Sequence, residues 1–536
     1  MHILKRLFAV SVLFAAVSLL LAAKLGFLIN DDEIAAASVG NGSYTIRSVG
    51  EYGGIYDCNM IPLVNRSEKY EAVVIPNNDN AIRLQPYVLD WDTYYSGISG
   101  RLPFLCSVKP AVLSLDDGTV VFRSMQRTGS DCLAPHIVGY TSDNAGMYGI
   151  EKAYDELLRS DYSVNSVSFG VDALGGVLGG LDAGVHYAEP VKSGVVLTID
   201  SEIQRICENA AESHGISKGA VIVMDVSSGE IKAALSCPDF DPENLSASMN
   251  DDSSPFVNRV FSAYSVGSIF KLVTAAAALE QGISPEYSYI CTGSSDVYGQ
   301  VFNCHKWGGH GEIDMCEAMV GSCNTYFIAL SEYIDNEKYI DTASALGFGK
   351  GTELCSGMVS DAGNLQTPQD IAVAAERANM SFGQGKLTAT PLQICRMTAA
   401  IANDGVISEP VLVKGLLDEN GELTYSSISP SERVLSYQTA RKLKYFMIRT
   451  VRAENSMSKP DKTAAAGKTS TAQTGRFDSA GNEIMNCWFT GYFPSYSPKY
   501  AVTVLTEGGV SGNYTAGPVF KKIADDITEY EKSLRN

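Results

Sequence analysis

The chain has 536 residues, 45% hydrophobic and 19% charged, a composition that excludes wholesale disorder and a length that exceeds one compact core. Its formal net charge of −20 works against nucleic acid as the main partner, because no basic run offsets the repulsion from a phosphate backbone. The 12 cysteines, none spaced CxxC, fall short of the density of a disulfide scaffold.

Lys5 and Arg6 precede an uncharged run over 7–23, then Lys24, an apolar patch to Ile29 and the acidic Asp31, Asp32 and Glu33. Lys24 can snorkel, so residues 7–29 are expected to form a membrane anchor with a cytoplasmic tail at 1–6 and everything later outside the cell. Ala35-Ala36-Ala37 offers a signal-peptidase site as the alternative, but the apolar run is longer than a signal peptide needs. Either way the protein is exported.

Residues 38–185 read as short strands and turns with few long helices, a mainly β pedestal domain. GGIYDCNMIPLV at 53–64 is hairpin-like, and Ile150, Tyr154, Leu157 and Leu158 recur at helical spacing. The glycine-rich 169–184 reads as a linker or boundary. Residues 190–536 form a second domain of the α+β class. It opens with a strand and an amphipathic helix whose apolar face carries Ile203, Ile206, Cys207, Ala210 and Ala211. Strands at 220–224 and 230–235 follow, joined by a loop short enough to force antiparallel pairing.

Cys291, Cys304, Cys316 and Cys323 fall close together with His305 and His310 among them. Zinc, a disulfide and plain buried thiols all compete here. The irregular spacing speaks against zinc, and a Cys291–Cys304 bridge is expected in an oxidising exterior. No metal and no cofactor are expected.

Three short patterns carry the chemistry. In YSVGSIFKLVTAAAALEQGI, Ser268 stands where a helix begins and Lys271 follows three residues on, among the apolar Phe270, Leu272 and Val273. Burial there lowers the amine's affinity for a proton and makes it a base able to activate a serine hydroxyl. Ser322 and Asn324 flank Cys323 before an apolar helical run, and Lys468-Thr469-Ser470-Thr471 has the alternation of an exposed strand. The GKT lettering at 467–469 is not a phosphate loop, because Lys462 stands where that loop needs glycine. Singly, each pattern fits a plain helix cap or strand. Ser456–Lys459 repeats the first spacing in a polar stretch before Pro460, and Ser248–Asn250 repeats the second.

In this order, SxxK, SxN and KT(G/S) resemble the motif set of penicillin-binding proteins and related β-lactamases. The chain as a whole resembles a class B penicillin-binding protein, through GGIYDCNMIPL, HIVGYTSDNAGMYGIEKAYDELL, LTIDSEIQ, VNRVFSAYSVGSIFK, SFGQGKLTATPLQ and WFTGYFP. The resemblance implies a transpeptidase-type antiparallel sheet flanked by helices and a peptidoglycan D,D-transpeptidase activity. Ser268 would be the nucleophile, Lys271 its base and Ser322 the proton relay. Asn324 would hold substrate amide, Lys468 would supply positive potential, and Thr469, Ser470 and Thr471 would lie along the substrate, the two threonines binding its carboxylate. The backbone amides of Ser268 and Thr471 would form the oxyanion hole.

The implied partners are peptidoglycan stem peptides as D-Ala-D-Ala donor and amine acceptor, β-lactam antibiotics, and a separate membrane glycosyltransferase. A carboxypeptidase or β-lactamase-type hydrolase is the competing enzyme, and a silent β-lactam receptor the competing non-enzyme. Three positions depart from the family pattern. Ser470 replaces a glycine and would put a side chain near the substrate backbone. Val266 replaces a proline and would loosen the turn. Tyr52 and Cys58 stand where the pedestal motif is basic.

Overall fold

The computed structural model describes residues 14–21, 24, 42–48, 50–110, 119–129, 131–142, 145–160, 162, 164–171, 177, 184–425 and 429–535. Residues 14–21 are helical. Among the described residues no helix is long and apolar enough to cross a membrane, and much of the expected 7–29 anchor lies outside them.

The described chain divides into two units that do not follow one simple boundary. One comprises 1–52, 67–126 and 162–191; the other comprises 53–66, 127–161 and 192–536. Segments 53–66 and 127–161, which fall inside the expected 38–185 pedestal, therefore pack with the carboxy-terminal unit. The reason is strand pairing: Gly54–Tyr56 lies parallel to Gly194–Leu197, which continues the sheet through Val413–Leu417.

The smaller unit is mainly β. Ser67–Val74 pairs antiparallel with both Phe104–Val108 and Thr119–Gln126, and Ser166–Gly170 sits between Ser43–Arg47 and Gly184–His186. Most of the glycine-rich 169–184, expected as a linker or boundary, lies outside the described residues. Two helices, Asn78–Leu84 and Trp91–Ile98, are capped by the side chains of Asn77 and Asp90.

The larger unit is built on a five-stranded antiparallel sheet in the order Ile231–Cys237, Gly219–Asp225, Tyr500–Glu507, Glu483–Phe493, Ala466–Phe477. Gly219–Asp225 and Tyr500–Glu507 are buried almost throughout because helices cover both faces of the sheet, whereas the edge strand Ala466–Phe477 is polar. On one face Val221, Val223, Val502, Val504 and Phe489 pack under the helices Ser201–Ser213 and Gly517–Ser533. On the other, Ala220, Ile222, Ala501, Leu505 and Trp488 share a core with Lys271–Glu280 and Pro391–Ala402. Strand periodicity of two assigns alternate residues to these two cores.

The helix Pro391–Ala402 is buried along its whole length, which is tolerable only if its polar groups are paired. Thr390 and Gln393 form a capping box, and the Gln393 amide also donates to three backbone carbonyls, of Gly347, Lys350 and Ala362. Thr398 Oγ1 lies 2.7 Å from Thr490 Oγ1 in the sheet. This central helix and the edge strand Ala466–Phe477 frame the site.

Candidate active site

Ser268 sits on a 3₁₀ turn, Gly267–Phe270, and Lys271 is the first residue of the α-helix Lys271–Glu280. The α-helix thus begins one turn later than expected, after Ser268, and a 3₁₀ turn eclipses residues i and i+3, which brings the Lys271 amine over the serine. Lys271 Nζ lies 3.0 Å from Ser268 Oγ.

Neighbouring elements pin the turn. Trp488 Nε1 donates to Ser265 O at 3.0 Å, Gly267 N to Gly383 O at 2.8 Å, and Ser470 Oγ to Val266 O at 2.8 Å. These bonds hold the backbone that a proline would otherwise stiffen, so Val266 does not leave the turn loose. Gly267 has φ +65°, and a Cβ there would fall 2.4 Å from Ser470 Oγ and 3.0 Å from Ala472 Cβ. The Ser470 side chain therefore points under the serine turn and is 2% exposed. Ser470 still borders the cleft, as its expected place near the substrate backbone requires, but its hydroxyl is tied to Val266 O.

Ser322 adopts a left-handed conformation, φ +52°. The helix that follows, Asn324–Ser331, is capped by the Cys323 sulfur, which accepts from Tyr326 N. Neither Ser322 nor Asn324 serves as the cap, and both side chains are free to meet Lys271. Lys271 Nζ lies 2.7 Å from Ser322 O, 3.2 Å from Ser322 Oγ and 2.7 Å from Asn324 Oδ1. The other end of the Asn324 amide donates to Asn303 O at 3.2 Å.

Lys468 comes from the edge strand, where Lys468, Ser470 and Ala472 face inward and Thr469 and Thr471 are half-buried. Its amine donates to Ser322 Oγ and Thr469 O, both at 3.1 Å. Thr471 Oγ1 accepts from Gly512 N at 3.0 Å.

Both lysines are fully buried, and burial penalises their charged forms. Burial, then the neighbouring Lys468 charge, holds Lys271 well below the usual lysine range, and burial brings Lys468 down to about 7. A neutral amine has two N–H groups and a lone pair. At Lys271 the two shortest contacts, to Ser322 O and Asn324 Oδ1, take the N–H groups and leave the lone pair for the Ser268 hydroxyl.

The cleft above these groups has a volume of about 440 Å³ and is lined by Ser268, Ser322, Asn324, Thr469, Ser470 and Thr471. His305, Phe382, Gln384, Gln473, Met485, Ser511 and Asn513 complete its walls. Of these seven, only His305 was singled out from the sequence, as a neighbour of the cysteine cluster. Phe382 and Gln384 flank Gly383, whose carbonyl accepts from Gly267 N, and a glycine pair at a backbone crossing was the available signal. The second SxxK match forms no such site: Ser456 Oγ pairs with Ser458 Oγ at 2.9 Å in an irregular turn.

Directly behind Asn324, the donor atoms of Cys291, Cys304, His310 and Cys323 all lie within 4.8 Å of one another. Cys316 and His305 are outside the set. The expected Cys291–Cys304 disulfide is not formed, and all cysteines are free. Spacing argued against a metal because the four residues come from separate turns and strand ends, which only the fold assembles.

The model of the penicillin-binding protein transpeptidase domain matches residues 219–528. The chain belongs to that family. It is 30% identical over 415 residues to stage V sporulation protein D of Bacillus subtilis, an alignment covering 73% of this chain and 62% of that protein. It is 28% identical over 358 residues to the peptidoglycan D,D-transpeptidase PbpA of Mycolicibacterium smegmatis, covering 62% of this chain and 72% of the relative. Among solved structures, the D,D-transpeptidase domain of a peptidoglycan glycosyltransferase from Eggerthella lenta superposes with a TM-score of 0.66 at 22% identity, covering 91% of this chain and 99% of the other. Penicillin-binding protein A of Mycobacterium tuberculosis, solved as a ceftriaxone acyl-enzyme, gives a TM-score of 0.66 at 21% identity, covering 88% and 97%. These likenesses establish the penicillin-binding transpeptidase fold for the larger unit.

Proposed function

We propose that the protein is a serine-type peptidoglycan D,D-transpeptidase that cross-links stem peptides and is acylated by β-lactams. The observation that carries this reading is the position of Lys271 Nζ, within 3.2 Å of Ser268 Oγ, Ser322 Oγ and Asn324 Oδ1 at once.

In this mechanism the Ser268 hydroxyl gives its proton to the neutral Lys271 amine as its oxygen attacks the carbonyl of the penultimate D-alanine. The backbone N–H groups of Ser268 and Thr471 hold the oxygen of the tetrahedral intermediate, a contribution worth about 3 kcal/mol for each such donor. The C–N bond breaks, and the departing D-alanine amine takes a proton through Ser322, which bridges the two lysines. Asn324 aligns the donor amide. Thr469 and Thr471 bind the terminal carboxylate, with Lys468 supplying positive potential. An acceptor amine then attacks the Ser268 ester; Lys271 takes the proton that the amine loses and passes it to the departing Ser268 oxygen, so the cross-link forms and the serine hydroxyl and neutral Lys271 are both restored.

The same reading places the catalytic unit outside the cell on a single-pass anchor at 7–29, fed by a separate membrane glycosyltransferase. Charge asymmetry about the apolar run, Lys5 and Arg6 before and Asp31 to Glu33 after, supports that orientation.

Incubating the full chain with a stem-pentapeptide donor and an amine acceptor tests the reading. Free D-alanine with a cross-linked product is expected. D-alanine release without cross-link, or fast turnover of a chromogenic cephalosporin, would instead assign a carboxypeptidase or β-lactamase-type hydrolase.

A further inference from the structure

We infer that Cys291, Cys304, His310 and Cys323 form a structural zinc site that clamps the Ser322–Asn324 segment to the adjoining hairpin. Three sulfurs and an imidazole nitrogen gathered within 4.8 Å of one another form the soft, four-donor set that zinc takes in closed structural sites. Zinc bonds of about 2.3 Å to sulfur and about 2.0 Å to nitrogen, spread tetrahedrally, place sulfurs about 3.8 Å apart and sulfur and nitrogen about 3.5 Å apart. Cys304 Sγ lies 3.8 Å from Cys323 Sγ and 3.5 Å from His310 Nδ1.

Apolar packing of thiols does not account for this arrangement, since it would not aim an imidazole nitrogen at a sulfur. The surroundings match a metal site as well. Thr325 Oγ1 donates to Cys291 Sγ at 3.1 Å and Tyr326 N to Cys323 Sγ at 3.4 Å, the kind of outer hydrogen bond that orients thiolate ligands. A disulfide would need two sulfurs at about 2.05 Å and would use two of the four donors.

The donors come from four places in one small region. Cys291 ends the strand Tyr289–Cys291, Cys304 follows Gln300–Asn303, His310 precedes Gly311–Ile313, and Cys323 caps the helix Asn324–Ser331. Cys323 is also the central residue of the SxN motif, between two side chains that contact Lys271. A metal there fixes Ser322 in its left-handed conformation and Asn324 against Asn303 O. Binding takes up Zn²⁺ and releases the thiol protons, with no change of oxidation state.

The test is metal analysis of the full chain purified under reducing conditions with zinc present, repeated after exchange for Co²⁺. One zinc per chain and a cobalt spectrum with thiolate charge-transfer and tetrahedral bands are expected. Both should be lost in His310→Ala and Cys291→Ser and kept in Cys316→Ser and His305→Ala. Metal content needs no activity assay and is independent of the transpeptidase reading. Chelation followed by Zn²⁺ return should lower and restore the rate of penicillin acylation at least about tenfold, since a reacting group displaced by about 1 Å loses rate on that scale. Folded wild-type protein that holds no zinc, gives a cobalt spectrum without thiolate bands, or carries a Cys304–Cys323 disulfide by mass would overturn the inference.

Discussion

Lys468 Nζ lies 3.1 Å from Ser322 Oγ across 146 residues of sequence, and the same hydroxyl is 3.2 Å from Lys271 Nζ. One serine thus stands between two buried amines. Two like charges in such a space are mutually unfavourable, so the productive state has Lys271 neutral and Lys468 charged.

That asymmetry sets a pH dependence. Lys271 is held low by burial first and by the Lys468 charge second. As pH falls through its folded value it takes a proton and ceases to be a base, so acylation declines on the acid side. Lys468, at about 7, loses its charge as pH rises past neutrality, which weakens its hold on a substrate carboxylate. Lys468→Met removes the like charge, raises the Lys271 value and moves the acid limb to higher pH. Second-order acylation constants measured from pH 5 to 9 check this, and an unmoved acid limb contradicts it.

Gly267 and Ser470 form a steric pair. Gly267→Ala puts a methyl 2.4 Å from Ser470 Oγ at a φ of +65°, so Ser268 must shift, and acylation should fall by about a hundredfold. Adding Ser470→Gly relieves the contact but not the backbone conformation, and should recover part of the loss. Ser470→Gly alone loses one hydrogen bond to Val266 O, a cost of about 1 kcal/mol, with acylation within a few-fold of wild type. Stopped-flow acylation and thermal melts of the three variants separate these effects.

His136 makes stability sensitive to acid. Its ring is 2% exposed, with Nε2 2.6 Å from Pro255 O and the Phe240 ring at 5.0 Å. Burial pushes its pKa down from 6.5 to about 4, with the Arg259 charge adding to the fall and the Pro255 carbonyl opposing it. The folded value is the lower one, so the unfolded chain binds the proton first as pH drops. The contribution is complete above pH 6.5 and is lost between there and about pH 4, to about 3 kcal/mol. His136→Gln should flatten the fall in urea midpoint between pH 7 and pH 4.5. An identical slope in the variant would contradict this account.

The residues that meet at the candidate site were legible in the sequence because each motif pairs a polar side chain with a local backbone signal, a helix start or a strand alternation. The antiparallel pairing of Gly219–Asp225 with Ile231–Cys237 was legible for the same reason, the loop between them being too short for any other arrangement. What stayed hidden depends on distant partners. Residues 53–66 look like a hairpin in either unit, and only pairing with Gly194–Leu197 decides which unit owns them. Met485 and Asn513 line the cleft without any local pattern that marks them. The gathering of Cys291, Cys304, His310 and Cys323 was hidden because regular spacing reflects a single local turn, whereas these four side chains are brought together by separate strand ends and a helix cap.

The most direct test of the account is the intact mass of the full chain after reaction with benzylpenicillin, compared among wild type, Ser268→Ala and Ser456→Ala. Wild type and Ser456→Ala should each gain one covalent penicilloyl group, and Ser268→Ala should gain none. An adduct on Ser268→Ala, or its loss in Ser456→Ala, would contradict the assignment of Ser268 as the nucleophile.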